Sequence, residues 1–160
     1  MRYLATCLVI TLPIVFGCDR PKTDTQREPL IHLVHQGDPD RVRSYISKHN
    51  VDINRKSQFG RTALGQAVSA GDLQMARLLI ELGADPTVSG VDRVMHQREY
   101  VPLAIAARFG DIEMIELLLS SAPADAYNVS TVKEIRQLVE YRDGNELRAE
   151  IIFLIEAWCD

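Results

Sequence analysis

The sequence predicts an all-α fold, a solenoid of short helix–turn–helix units stacked side by side with finger loops between them. Three observations carry that expectation. First, three segments align without gaps: Pro29 to Asp38, Ala63 to Asp72 and Pro102 to Asp111, each ending in Gly-Asp. Second, apolar residues follow at matched places, as Val42, Tyr45 and Ile46, then Ala76, Leu78, Leu79 and Ile80, then Ile115, Leu117, Leu118 and Leu119. Leucines three and four apart give a helix one apolar stripe. Third, a lone helix pair cannot bury that stripe, so neighbouring units must cover one another. At 160 residues and 46% apolar the chain fits one domain, and with 6% aromatics its core is aliphatic.

The first seventeen residues read as an address rather than as fold. Arg2 precedes a run from Leu4 to Phe16 that is apolar except for Thr6 and Thr11. A membrane-spanning helix needs about 20 apolar residues, so this run is too short. A basic start, a short apolar middle and a small residue at the end describe a secretory signal. Val15-Phe16-Gly17-Cys18 resembles the lipobox of bacterial lipoproteins. That resemblance implies a diacylglyceryl group on the Cys18 thiol, cleavage before Cys18 and acylation of the new amine. Each buried methylene contributes about 0.8 kcal/mol, so two or three acyl chains hold almost permanently. A plain membrane anchor and a non-lipidated signal are the alternatives. Asp19 is similar to the inner-membrane retention signal of enteric lipoproteins, but species differ and the membrane stays open. The expected location is the cell envelope, lipid-anchored and facing the periplasm. Cys7 would leave with the leader and Cys18 become a thioether, leaving Cys159 as the remaining thiol and no internal disulfide. Residues 18–27 are polar and read as a tether.

The domain from 28 to 160 is expected to hold units at about 28–58, 59–98 and 99–127. Leu30 and Leu64 are 34 residues apart, and Leu64 and Leu103 are 39 apart. Pro29 and Pro102 suit a first helical position, where the amide is unpaired in any case. Gly37, Gly71 and Gly110 then permit the left-handed residue that stops a short helix. Asp38, Asp72 and Asp111 can each cap the following helix by accepting a backbone hydrogen bond. Each unit closes on an aspartate-bearing turn, at Val51-Asp52, Ala84-Asp85 and Ala124-Asp125.

These residues resemble the ankyrin repeat. Gly60-Arg61-Thr62-Ala63-Leu64 stands where that family has Gly-x-Thr-Pro-Leu, and Gly83-Ala84-Asp85 matches its closing turn. The third unit replaces the threonine by Val101, and the first has Glu28 there and one extra residue before Asp52. The resemblance runs from about Glu28 to Tyr127. It implies a non-enzymatic module whose partner meets the finger loops and the exposed face of each unit's first helix.

Residues 128–160 read as a diverged capping pair. Val132, Ile135, Leu138 and Val139 form one stripe, and Leu147, Ile151, Ile152, Leu154 and Ile155 another, separated by a turn at Asp143-Gly144-Asn145. Trp158 is expected to cover the last core layer. Between Val88 and Tyr100 about five residues are added to the pattern. Insertions in solenoids gather on loops of one face, often the binding face.

No catalytic constellation stands out. The sequence has no His-Glu-x-x-His, no Gly-x-Ser-x-Gly, no phosphate-cradling glycine loop and no paired metal-spaced cysteines. His32 and His35 lie three apart on one predicted helix, and a metal-dependent enzyme built on them is the remote alternative. No cofactor and no metal are expected. A net charge of −4 argues against nucleic acid as a partner.

Charge is unevenly spread, with 13 basic and 10 acidic residues from Arg20 to Phe109 but 4 and 11 from Gly110 to Asp160. The candidate contact residues are Phe59, Arg61 and Gln66, then Arg93, His96, Arg98 and Tyr100, then Ile105, Arg108 and Phe109. Arginine and aromatic residues are the types enriched among interface hot spots. Basic fingers suit a protein partner with an acidic surface. The expected role is a binding module in the envelope, monomeric when unbound. An immunity protein that neutralises a toxic effector is the specific expectation, and an adaptor or scaffold for an envelope enzyme or stress system is the alternative.

Overall fold

The computed structural model describes residues 29–91, 98–123, 126–140 and 145–159. The expected leader, Cys18, the tether, Arg93, His96 and the turn at Asp143-Gly144 lie outside the described residues. Eight helices follow in order among the described residues. They are α1 (Pro29–Gln36), α2 (Pro39–His49), α3 (Ala63–Ser69), α4 (Leu73–Glu81), α5 (Pro102–Phe109), α6 (Ile112–Ser121), α7 (Val129–Glu140) and α8 (Asn145–Cys159). Between α4 and α5 lie two short strands, β1 (Gly90–Val91) and β2 (Glu99–Tyr100), paired antiparallel with Gly90 opposite Tyr100.

The helices form two rows. α1, α3, α5 and α7 lie side by side in one, and α2, α4, α6 and α8 in the other, each pair also packing internally. The turn within each of the first three units is built the same way. Gly37, Gly71 and Gly110 have φ of 70°, 69° and 71°. A residue with a Cβ adopts that region only at a cost, which explains the glycine. The next residue caps the following helix: Asp38, Asp72 and Asp111 each accept from the amide three residues on, at 3.1, 2.9 and 3.0 Å. The sequence alignment therefore corresponds to one recurring local geometry.

The inner helices begin less uniformly. Thr62 caps α3 by accepting from the Gly65 amide at 3.0 Å. Val101 occupies the equivalent place before α5 and supplies no side-chain cap. At α7 the role passes to Asn128, which accepts from the Thr131 amide at 2.9 Å.

One aliphatic core runs through the units. Met75, Leu79, Leu103, Met114, Ile115, Leu118, Ile135 and Ile151 are fully buried within it. α2 contributes only Val42 as a buried residue, so the first unit is thinly packed on that side. Neighbouring units are also tied by hydrogen bonds. Asn54 donates from Nδ2 to the Gly83 carbonyl at 3.4 Å and accepts from the Asp85 amide at 2.8 Å. Tyr127 donates its hydroxyl to the Pro86 carbonyl at 3.3 Å and packs its ring on Trp158, centroids 5.4 Å apart. Burial, and then the Asp85 charge, push the Tyr127 hydroxyl well above its usual range, so it stays a donor. No helix among the described residues is long and apolar enough to cross a membrane.

Candidate functional site

The first finger, residues 55–61, is folded around a buried serine. Ser57 Oγ accepts from the amides of Phe59 and Arg61 at 3.2 and 3.1 Å. The Ser57 amide donates to the Arg61 carbonyl at 2.8 Å and the Gly60 amide to the Ser57 carbonyl at 2.9 Å. This tight loop pushes Phe59 to the tip, where it is 54% exposed. Arg61 then folds back, with its guanidinium carbon 5.6 Å from the centre of the Phe59 ring and Nη1 donating to Gln66 Oε1 at 3.4 Å. An arginine over an aromatic face is held electrostatically by the ring quadrupole. Three candidate residues, Phe59, Arg61 and Gln66, are thus brought together.

The base of the inserted segment stands against this finger. The Val91 amide donates to the Gly60 carbonyl at 2.9 Å. Lys56 Nζ reaches Glu99 Oε2 at 2.9 Å and Ser89 Oγ at 3.4 Å, and Ser89 donates to Glu99 at 3.1 Å. The hydrogen bond from Lys56, aided by Ser89, holds the Glu99 carboxyl below its usual range. Arg98, next to Glu99, is exposed. Sequence reading missed the pairing of Lys56 with Glu99, which are 43 residues apart; opposite charge in two fingers was the available signal.

Two candidate residues are corrected. Ile105 was expected to face outward but is 2% exposed, and Tyr100, expected as a finger contact, is 8% exposed. The physical reason is the position of α5, which is flanked by α3 and α7 and backed by α6, so six of its eight residues are buried. β2 packs against α5 and brings Tyr100 into the same core. At the far end of α5, Phe109 is 41% exposed and Arg108 half-buried, as an outward face requires.

On α1 the two histidines have different surroundings. Gln36 donates from its side-chain Nε2 to His32 Nε2 at 3.1 Å, and Gln36 Oε1 accepts from Arg41 Nη1 at 3.1 Å, while His35 is exposed. Among the described residues no three His, Cys, Asp or Glu side chains gather where a metal ion would sit. Glu113 and Glu116 are exposed on the outer row. Val129 and Phe153 are exposed apolar residues that sequence reading did not single out.

The family described as Ankyrin repeats (3 copies) matches residues 5–90 and 30–130. Proteins of that kind are generally binding modules rather than enzymes. Ankyrin repeat domain-containing protein 13C of Homo sapiens is 28% identical over 130 residues, covering 81% of this chain and 23% of the relative. The Mus musculus protein of the same name gives the same identity and coverage. Protein phosphatase 1 regulatory subunit 27 of Mus musculus is 32% identical over 99 residues, covering 59% of this chain and 58% of the relative. The chain therefore spans under a quarter of the length of the first two relatives and somewhat over half of the third.

Proposed function

The chain belongs to the ankyrin-repeat family, and from that premise we propose that it is a non-enzymatic protein-binding module, lipid-anchored through Cys18 in a bacterial cell envelope. The observations that carry the binding part are the exposed Phe59 at the finger tip and the exposed Phe109 at the end of α5. Phe59 lies under the Arg61 guanidinium, and Phe109 follows the half-buried Arg108 in sequence. Aromatic and arginine side chains on a rigid support are the usual anchors of a protein interface. The envelope part is motivated by the lipobox-like Val15-Phe16-Gly17-Cys18.

The specific role we favour is immunity, in which the module occludes a toxic effector that reaches the periplasm. A small chain with no catalytic constellation suits a protein that acts by covering another. An adaptor or scaffold role for an envelope enzyme is the second reading, favoured by the relative named as a regulatory subunit of a phosphatase.

Affinity capture from envelope extracts tests both. The wild-type chain is expected to retain one specific protein, and Phe109→Ala to weaken that complex by about 1–2 kcal/mol. A toxin among the retained proteins supports immunity, and an envelope enzyme supports the adaptor. Equal affinity of the variant removes Phe109 from the site. For the anchor, Cys18→Ser is expected to move the protein from the membrane pellet to the soluble fraction, and a variant still in the pellet defeats that part.

A further inference from the structure

The α1 end of the described stack differs from its interior. Pro29, Ala63 and Pro102 each stand first in a helix of the inner row, yet Ala63 and Pro102 are buried and Pro29 is exposed. Tyr45, Leu79 and Leu118 hold one place in successive outer helices. Both leucines are fully buried, whereas Tyr45 is half-buried. Ahead of the second unit stands the closing turn of the first, where Asn54 bonds the Gly83 carbonyl and the Asp85 amide. Their counterparts in the first unit are Asn50 and Asp52, and Asn50 shares with Gly83 a positive φ, 46° against 97°. Asn50 and Asp52 line an open cavity of about 330 Å³ together with Pro29, Tyr45, His49 and Arg55.

The residues leading into Pro29 repeat the first finger, in the register that Leu30 and Leu64 set at 34 residues. In that register Lys22 falls on Lys56, Thr23 on Ser57, Arg27 on Arg61 and Arg20 on Asn54. Ser57 is the residue around which the finger folds, through the amides two and four positions on. A threonine hydroxyl can make the same local bonds. Arg20 would bring donors to the place from which Asn54 reaches the next turn, and the Asn50 carbonyl and Asp52 carboxylate are acceptors. Thr25 and Gln26 replace Phe59 and Gly60, so this tip carries no aromatic side chain. The family match that begins at residue 5 runs across the same segment. We propose that residues 20–28 are a further closing turn and finger, seated on the first unit with Arg20 at the cavity beside Asn50 and Asp52, rather than a free tether. The docking is independent of the anchor, but its consequence rests on it. With an acylated Cys18, Asp19 alone separates lipid from fold. At about 3.5 Å per residue the reach falls from roughly 30 Å to a few ångström, which holds the domain against the bilayer.

The test is hydrogen–deuterium exchange of the full chain. Amides of residues 22–28 are expected to exchange at least about tenfold more slowly than in a free peptide of the same sequence. Replacing residues 20–28 by an equally long Gly-Ser segment is expected to speed exchange at residues 30–31 and 49–52 about tenfold. Arg20→Glu is expected to speed it there about threefold, and adding Asp52→Arg to reverse the change. Wild-type protection in α5 and α6 shows that each variant is folded. Exchange of residues 22–28 at the peptide rate, or a Gly-Ser variant identical to wild type at residues 30–31 and 49–52, overturns the proposal. An Arg20→Glu effect that is absent, or that Asp52→Arg does not reverse, overturns the placement of Arg20. Protection at residues 49–52 that rises with protein concentration, while residues 22–28 exchange freely, gives the cavity to a second copy and also overturns the proposal. A protected segment in a chain whose Cys18→Ser variant stays in the membrane pellet upholds the docking and overturns its consequence at the bilayer.

Discussion

A glycine followed by an aspartate recurs at the inner turn of three units because each residue does something its neighbours in sequence cannot. The glycine takes a positive φ and the aspartate caps the next helix. Asp111→Ala is expected to cost about 1 kcal/mol through loss of the cap, read as a shift in denaturation midpoint at constant slope. An unchanged midpoint would show that the amide of Met114 finds another acceptor. Tyr127→Phe should cost about 0.5–1.5 kcal/mol, because it removes the bond to the Pro86 carbonyl. These roles were legible where they are local. Gly37, Asp38, Asp72 and Asp111 could be placed from spacing alone, since a turn and a cap involve only a few adjacent residues. Ile105 and Tyr100 were misplaced because burial depends on which helices arrive from elsewhere, and nothing in Pro102 to Phe109 states that α7 will lie alongside.

At the scale of the element, the unit pattern predicts how damage spreads. Leu118 lies fully buried on α6, so Leu118→Ala should cost about 2–5 kcal/mol, the range for truncating a packed leucine. The fingers obey different rules, because hydrogen bonds and charge hold them rather than a core. The hydrogen bond from Lys56, then that from Ser89, hold the folded-state pKa of Glu99 below the ordinary carboxylate range. Its contribution is therefore complete above the unfolded value and is lost as pH falls through the lower, folded one. A carbon-13 titration of the Glu99 carboxyl should show a midpoint lower than that of an unpaired glutamate, and Lys56→Met should raise it. A midpoint that ignores Lys56 would mean the two side chains are not paired in solution. Here the sequence identified both fingers as candidates and the insertion as extended, yet the contact between them joins residues far apart along the chain. Periodicity carries no information about such a contact.

For the whole molecule, stacking makes the units interdependent, and Leu79→Asp is the sharpest probe of that. An unpaired charge among packed aliphatic side chains should abolish the cooperative unfolding transition and the helical spectrum together. A variant that stays folded would show the second unit dispensable. The all-α class and the order of the units were readable from the three aligned segments, whereas which surface faces a partner was only partly so. Of the expected contact residues, Phe59, Arg98 and Phe109 are exposed, Arg61, Gln66 and Arg108 are half-buried, Tyr100 and Ile105 lie in the core, and Arg93 and His96 lie outside the described residues. The measurement that bears most directly on the central claim is hydrogen–deuterium exchange of the full chain, alone and with its captured partner. Slowed exchange is expected in residues 55–61 and 98–100 and at the exposed ends of α3 and α5. Slowed exchange confined to the outer helices α2, α4 and α6, with the fingers unchanged, would contradict the account.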